Sequence, residues 1–269
     1  MSLFYGGLRD LKYRSLFYFK TLIYLRQRLS GQLFSAGKNG VILNCGGPRS
    51  GSTLLNMIIK EILLIKLGSE DNYVDNSKEL SRRLSTYTHF SLIKTHRYFS
   101  NIQSLIRKGQ VIAFMTHRDI RDVTVSLCQK GWVDDVREFI ASRDLKQIAF
   151  SSIAYAEVEG MNVMSYQQLM DQPRQSISFV AGKLGVDLTE EQLDRIERSV
   201  SKDNVSRKID QIDGGDGAGV ELDVASGLHK DHIKDGKSGK WREFLNAEDA
   251  QAIAEECREY MTMFDYANE

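Results

Sequence analysis

The sequence predicts an α/β protein of three layers, α/β/α, around a central, mostly parallel sheet. Three observations point there. Short apolar runs of strand length alternate with longer helical stretches, the pattern of a parallel sheet covered on both faces. The first run, from Val41 to Leu43, feeds a glycine-rich turn that opens directly into an apolar helix. The polar residues best suited to chemistry follow strand candidates, so they would gather beyond the strand C-termini, where such sheets bind ligands.

The chain of 269 residues is 42% apolar and 27% charged, an ordinary globular composition with enough core to need no staples. We expect a single domain over residues 1–269. Its 36 basic and 36 acidic residues balance, and without a net field a general nucleic-acid binder is not expected. The three cysteines, Cys45, Cys128 and Cys257, lack ligand spacing and fit a reducing cytoplasm. The five histidines form no recognisable metal pair with a neighbouring carboxylate.

In chain order, residues 1–35 read as a basic amphipathic helical segment, with Arg9, Lys12, Arg14, Lys20, Arg26 and Arg28 among Phe17, Phe19, Leu22 and Leu25. The apolar run is too short and too charged to span a bilayer, and no signal-peptide cleavage pattern follows. Packing on the body is favoured over a membrane-surface helix. The strand from Val41 then meets the turn from Gly46 to Gly51. Such a strand, turn and helix aims backbone N–H groups and the positive end of a helix dipole at one point, a cradle for phosphate or sulfate. Gly46, four residues, Gly51, Ser52 and Thr53 nearly reproduce the P-loop spacing. Ser52 stands where an ATP-using loop carries its lysine, and the nearest cation is Arg49.

The stretch from Leu54 to Ile65 is apolar almost all round, so it predicts a helix buried in the interior and stopped at Gly68. Residues 69–83 read as a polar surface segment. Further strands are expected from Phe90 to Lys94, from Val111 to Met115 and from Met161 to Ser165. They run into Thr95-His96, Thr116-His117-Arg118-Asp119 and Tyr166 in turn. Helices are expected after Asp119 as far as Gly131, from Pro173 to Gly185, from the capping box Thr189-Glu-Glu-Gln192, and from about Ala247 to Met263. Residues 204–240, rich in Gly, Asp and Lys, read as one long mobile loop over the site.

Singly, these residues have plain readings: His96 as a hydrogen-bonded structural histidine, Arg118 with Asp119 as an ion pair. In this order they resemble one family, the sulfotransferases that use 3′-phosphoadenosine 5′-phosphosulfate (PAPS), and most of all their cytosolic and bacterial small-molecule branch. Gly47-Pro48-Arg49-Ser50-Gly51-Ser52-Thr53 is similar to the family's 5′-phosphosulfate loop. Arg118, with Ser126 eight residues on, resembles its 3′-phosphate site, and Lys94-Thr95-His96 the branch's Lys-Thr-His. Gly236-Lys237-Ser238-Gly239-Lys240-Trp241 resembles its late Gly-x-x-Gly-x-Trp motif.

The resemblance implies a P-loop NTPase-like fold, sulfuryl transfer from PAPS with release of 3′-phosphoadenosine 5′-phosphate (PAP), and no metal. The loop and Arg49 would hold the 5′ end, and Arg118, a planar donor fork, the 3′-phosphate with Ser126. Lys234, Gly236 and Lys237 would close over that phosphate, although the family's Arg-Lys-Gly reads Lys234-Asp235-Gly236 here. His96 would be the general base, and Lys94 and Arg49 would stabilise the charge that develops. Tyr166 would either pack on the base or serve as a core tyrosine.

Taken together, the stretches 69–90, 97–104, 132–150 and 215–233 hold Asp and Glu with a few aromatics, including Tyr73, Tyr87, Tyr98, Phe99 and Trp132, and a greasy pocket would want more apolar residues there. They favour a polar small-molecule acceptor, a metabolite or natural product sulfated at a hydroxyl or an amine. A carbohydrate acceptor and a homodimer stay open. A metal-dependent P-loop kinase would explain the loop but not the missing lysine, the Arg118–Ser126 pair or the tryptophan motif. A nucleotide-binding partner protein without chemistry would leave Lys94 and His96 unexplained.

Overall fold

A computed structural model of the chain describes residues 41–67, 73–74, 90–96, 98, 102–107, 109, 111–210, 222–223, 228–229 and 237–267. The expected N-terminal helical segment lies outside these residues. Five strands form one sheet in the order β2-β3-β1-β4-β5: β1 Val41–Gly46, β2 Tyr73–Val74, β3 Phe90–Thr95, β4 Val111–His117 and β5 Asn162–Ser165. Every neighbouring pair is parallel. The chain order reverses about β1, the topological switch point at which open parallel sheets leave a crevice.

Alternate residues of β1 serve opposite layers, as the two-residue period of a strand requires. Ile42, with Leu92, Phe114 and Met164, packs under α1 (Ser52–Leu67), α7 (Pro173–Leu184) and α8 (Glu190–Val200). Leu43 and Cys45, with Ala113 and Met115, face α2 (Ile102–Arg107) and Tyr155 of α5 (Arg143–Ala156). Helix α1 is therefore covered by the sheet on one side and by α7 and α8 on the other. That explains its lack of a polar face: Leu55, Ile58, Ile59, Ile62 and Leu63 are all fully buried. The expected caps hold. Pro173 opens α7, Gly185 closes it in the left-handed conformation, and Thr189 and Gln192 form the reciprocal capping box of α8.

A third apolar cluster lies at the strand C-terminal end. It joins α3 (Ile120–Cys128), α4 (Val136–Ala141), α5, α11 (Ala247–Glu256) and α12 (Arg258–Met263) through Val123, Leu127, Phe139, Leu145, Ile253 and Tyr260. Here the structure departs from the sequence reading in three ways. Residues 136–156, expected in large part to face the acceptor, are two capped helices whose apolar side is core. The single helix expected from Ala247 to Met263 is interrupted at Cys257, whose backbone (φ −112°, ψ 28°) leaves the helical region. The expected loop 204–240 begins inside a helix, α9 (Lys202–Asp210), anchored by the fully buried Val205. Two short antiparallel strands follow, β6 Leu222–Asp223 and β7 Leu228–His229. Helix α6 (Tyr166–Asp171) and the single turn α10 (Trp241–Phe244) complete the described elements. Among the described residues, no helix is long and apolar enough to cross a membrane.

Candidate active site

The register of the sheet assembles the site. Cys45 of β1 pairs with Thr95, Gly46 pairs with Thr116, and His117 pairs with Ser165. Adjacent strands lie about 5 Å apart, so the turn after Gly46, His96, Arg118 and Tyr166 all leave the sheet at one edge.

The turn after β1 is shaped by two residues in the left-handed region, Arg49 (φ 61°) and Gly51 (φ 93°). At Gly51 a side chain is excluded twice, by the backbone and because a Cβ would lie 2.9 Å from the Tyr166 ring. Arg49 has no such freedom, and its conformation costs about 1–2 kcal/mol. It is held there by its own side chain, whose Nε donates to Ser126 Oγ at 2.9 Å. Ser50 faces inward: its hydroxyl bonds the Gly47 carbonyl at 2.7 Å and Thr116 Oγ1 at 2.8 Å. Asn44 Nδ2 donates to the Ser52 carbonyl at 2.7 Å and to Asn56 Oδ1 at 3.1 Å, fixing where α1 begins. The first N–H groups of α1 have no intrahelical acceptor and face the turn, as an anion cradle requires.

Three cations converge on this turn. Lys94 Nζ donates to Thr53 Oγ1 at 2.7 Å. Burial, and then the neighbouring Arg49, push the Lys94 ammonium down to about 8. Arg49 is itself lowered by burial and then by Arg118. Each cation destabilises the next, so the site holds positive charge that an anionic ligand would relieve. His96 Nδ1 meets the Gly46 carbonyl. A carbonyl only accepts, so Nδ1 carries the proton, and in the neutral ring Nε2 is the basic nitrogen.

Arg118 is held from several sides. Tyr260 brackets its backbone, donating to the Arg118 carbonyl at 2.7 Å and accepting its N–H at 3.3 Å. Its Nη2 donates to the Lys237 carbonyl at 2.8 Å and stands 3.6 Å from Asp122 Oδ2. Its guanidinium lies 4.2 Å over the Tyr166 ring. Its Nε is buried and has no hydrogen-bond partner among the described residues. A buried cationic donor left unmet is costly, and a phosphate oxygen is the acceptor such a group suits best. The residues present therefore fit a two-ended anion. Asp119 does not pair with Arg118: it caps α3 through the Arg121 N–H and binds the Arg121 guanidinium at 2.6 Å.

Pro48, Arg49, Gly51, Ser52, Thr53, Lys94, His96, Arg118, Ser126 and Tyr166 line one cleft. Gly47 and Ser50 stand behind it, Gly47 packed toward Ile148 and Ser152 of α5 and Ser50 bracing the turn. Lys237 reaches Arg118 through its carbonyl while its side chain is exposed. Lys234 and Gly236 lie outside the described residues. Tyr166 is half-buried rather than core, lines the cleft and carries the Arg118 guanidinium over its ring. The sequence reading missed Asp122, Lys130, Lys202 and Lys240, which also line the cleft. For two of these a signal existed, because Arg118, Asp122, Ser126 and Lys130 recur every four residues and so share one face of α3 and its flanks.

Among curated protein sequences, none matches the chain significantly. A retinol dehydratase solved with androsterone and the inactive cofactor PAP is 18% identical, with a TM-score of 0.56 over 82% of this chain and 80% of its own. The mouse sulfotransferase SULT7A1 complexed with PAP is 13% identical, with a TM-score of 0.60 over 85% of this chain and 87% of its own. These likenesses establish the fold. The sequence model of the sulfotransferase domain matches residues 40–265, and the chain, which spans the turn, the cation cluster and the Arg118 site within that match, belongs to the sulfotransferase domain family.

Proposed function

We propose that the protein transfers a sulfuryl group from PAPS to a hydroxyl or amine of a polar small molecule, releasing PAP. The observation that carries this reading is the pairing of two anion sites in one cleft. One is the turn with Arg49, Ser52, Thr53 and Lys94; the other is Arg118, with its unmet buried Nε, beside Ser126. A nucleotide phosphorylated at both the 3′ and 5′ positions has the charge distribution such a pair calls for. PAPS supplies sulfur on a phosphate leaving group, so a new bond from the acceptor atom to sulfur forms as the bond from sulfur to phosphate oxygen breaks.

The chain's own residues then have distinct tasks. The N–H groups of the turn and the Ser52 and Thr53 hydroxyls hold the 5′ end. Lys94 and Arg49 stabilise the negative charge that develops on the bridging oxygen and the departing phosphate. His96 takes the acceptor proton on Nε2, held in that tautomer by its bond to the Gly46 carbonyl. Leu54, Met57, Met170, Val200 and Val205, which line the same cleft, provide an apolar wall for a nucleobase.

Thermal unfolding in the presence of PAP, with and without a chelator, tests the reading against ATP with magnesium. Saturation at a hundred times Kd stabilises a protein by about 2.7 kcal/mol, which for a chain of this size raises Tm by about 5 °C. That shift with PAP, unchanged by chelator, is the expected result. A shift with ATP and magnesium alone would overturn the PAPS reading and favour the kinase one.

A further inference from the structure

Asp122 is a carboxylate in a cleft whose other charged walls are Arg49, Lys94, Arg118, Lys130, Lys202 and Lys240. An acid there opposes the anion that those residues attract, so its presence calls for a reason. Its side chain is fully buried. Oδ2 accepts the N–H of Gly239 at 2.8 Å, and Oδ1 accepts the N–H of Trp241 at 3.0 Å. One helical turn earlier, Arg118 Nη2 takes the Lys237 carbonyl at 2.8 Å and faces Asp122 Oδ2 at 3.6 Å. Every second residue of the late segment, Lys237, Gly239 and Trp241, is thus held through its backbone by two neighbouring side chains of α3 and its start.

The same contacts leave Arg118 little freedom. Tyr260 fixes its backbone, Tyr166 covers one face of its guanidinium, and Asp122 and the Lys237 carbonyl engage Nη2. The fully buried donor Nε of Arg118 has no hydrogen-bond partner among the described residues. Without Asp122, Arg118 would lose an ionic neighbour, and the segment that supplies its carbonyl partner would lose both backbone anchors and keep the stacking of Trp241 against Arg121 at 3.8 Å, so Nη2 would be less firmly placed.

We propose that Asp122 is a positioning residue for nucleotide selection. It locks residues 237–241 onto α3 and so orients Arg118 to read a 3′-phosphate, an inference that rests on the PAPS reading above. Asp122 acts through Arg118, so its removal weakens ligands with a 3′-phosphate and leaves those without one nearly untouched. A merely structural role would weaken both alike.

The test is titration calorimetry of PAP and of adenosine 5′-phosphate, which lacks the 3′-phosphate, on the full chain and on Asp122→Asn. The amide keeps the size of the side chain but offers one acceptor where two backbone N–H groups need one each. Wild type should prefer PAP. The variant should lose about tenfold of that preference, the worth of one charge-assisted contact, with adenosine 5′-phosphate affinity changed less than about twofold. A folded Asp122→Asn protein with the wild-type preference overturns the proposal. Should that variant not fold, Gly239→Ala carries the same test. Gly239 has φ +78°, a backbone conformation that a residue with a Cβ adopts only under strain, so the substitution strains the N–H that Asp122 accepts without altering α3. An unchanged preference in folded Gly239→Ala also overturns it. Wild type that does not prefer PAP would sink the PAPS reading itself, and this inference with it.

Discussion

Replacing His96 separates two roles that its geometry combines. Nδ1 donates to the Gly46 carbonyl at the mouth of the anion-binding turn, and Nε2 is the basic nitrogen at the cleft. His96→Ala removes both. Loss of a positioned general base costs at least about a hundredfold in turnover, or about 2.7 kcal/mol of transition-state stabilisation. Nucleotide affinity should hold, because the turn N–H groups, Arg49 and Arg118 are untouched. His96→Asn removes only the base, since its amide nitrogen can still donate to the Gly46 carbonyl. Both variants should therefore lose turnover to the same extent in single-turnover assays of acceptor sulfation, while PAP affinity by calorimetry stays within about threefold of wild type. If His96→Asn turned over like wild type, the hydrogen bond to Gly46, not proton transfer, would be what His96 contributes.

Other perturbations follow from the same contacts. Lys94 has a folded-state pKa of about 8, below the usual 10.5, so the folded protein loses this proton first as pH rises. The charge needed for catalysis disappears above about pH 8, and kcat/KM should fall there with a slope of about one. Fold stability moves the opposite way and rises between about pH 8 and 10, where the unfolded chain binds more protons. A kcat/KM profile flat to roughly pH 10 would remove Lys94 from its assigned role. Tyr260→Phe deletes the hydroxyl that brackets the Arg118 backbone. It should cost about 1–3 kcal/mol, read as a fall in Tm of several degrees, and should weaken PAP more than adenosine 5′-phosphate in calorimetry. Gly51→Ala forces a Cβ toward the Tyr166 ring at a left-handed position. It should weaken PAP binding by about tenfold or more, and wild-type affinity would show that the turn tolerates reshaping.

Much of the site was legible in the sequence because its parts are local. A strand, a turn and a helix lie within one short run, so Val41 to Leu55 states its own geometry. Lys94, His96 and Arg118 directly follow apolar runs of strand length, and a parallel sheet sends all such residues to one edge. Ser126 lies two helical turns beyond Arg118 and shares its face. The capping box at Thr189 and the stop at Gly185 are equally local, and both stand in the structure where the residues place them. The helices at 136–156 were missed because their signals are short. Asp135 and Ser142 cap them, but the apolar positions they bury, Phe139, Leu145 and Ala149, declare a core only once α11 and α12 lie against them.

What the sequence determined, then, was the identity of the chemistry-bearing groups, since backbone conformation over a few residues and the period of apolar side chains depend on near neighbours. Tertiary structure alone decided how those groups are held. The bonds from Asp122 to Gly239 and Trp241, from Arg118 to Lys237 and from Tyr260 to Arg118 span 117 to 142 residues. Their existence depends on how α3, α12 and the late segment pack in space. Burial, which lowers the Lys94 and Arg49 pKa values and leaves Arg118 Nε unmet, is likewise a property of the assembled fold, because desolvation arises only when distant segments displace water from the same place.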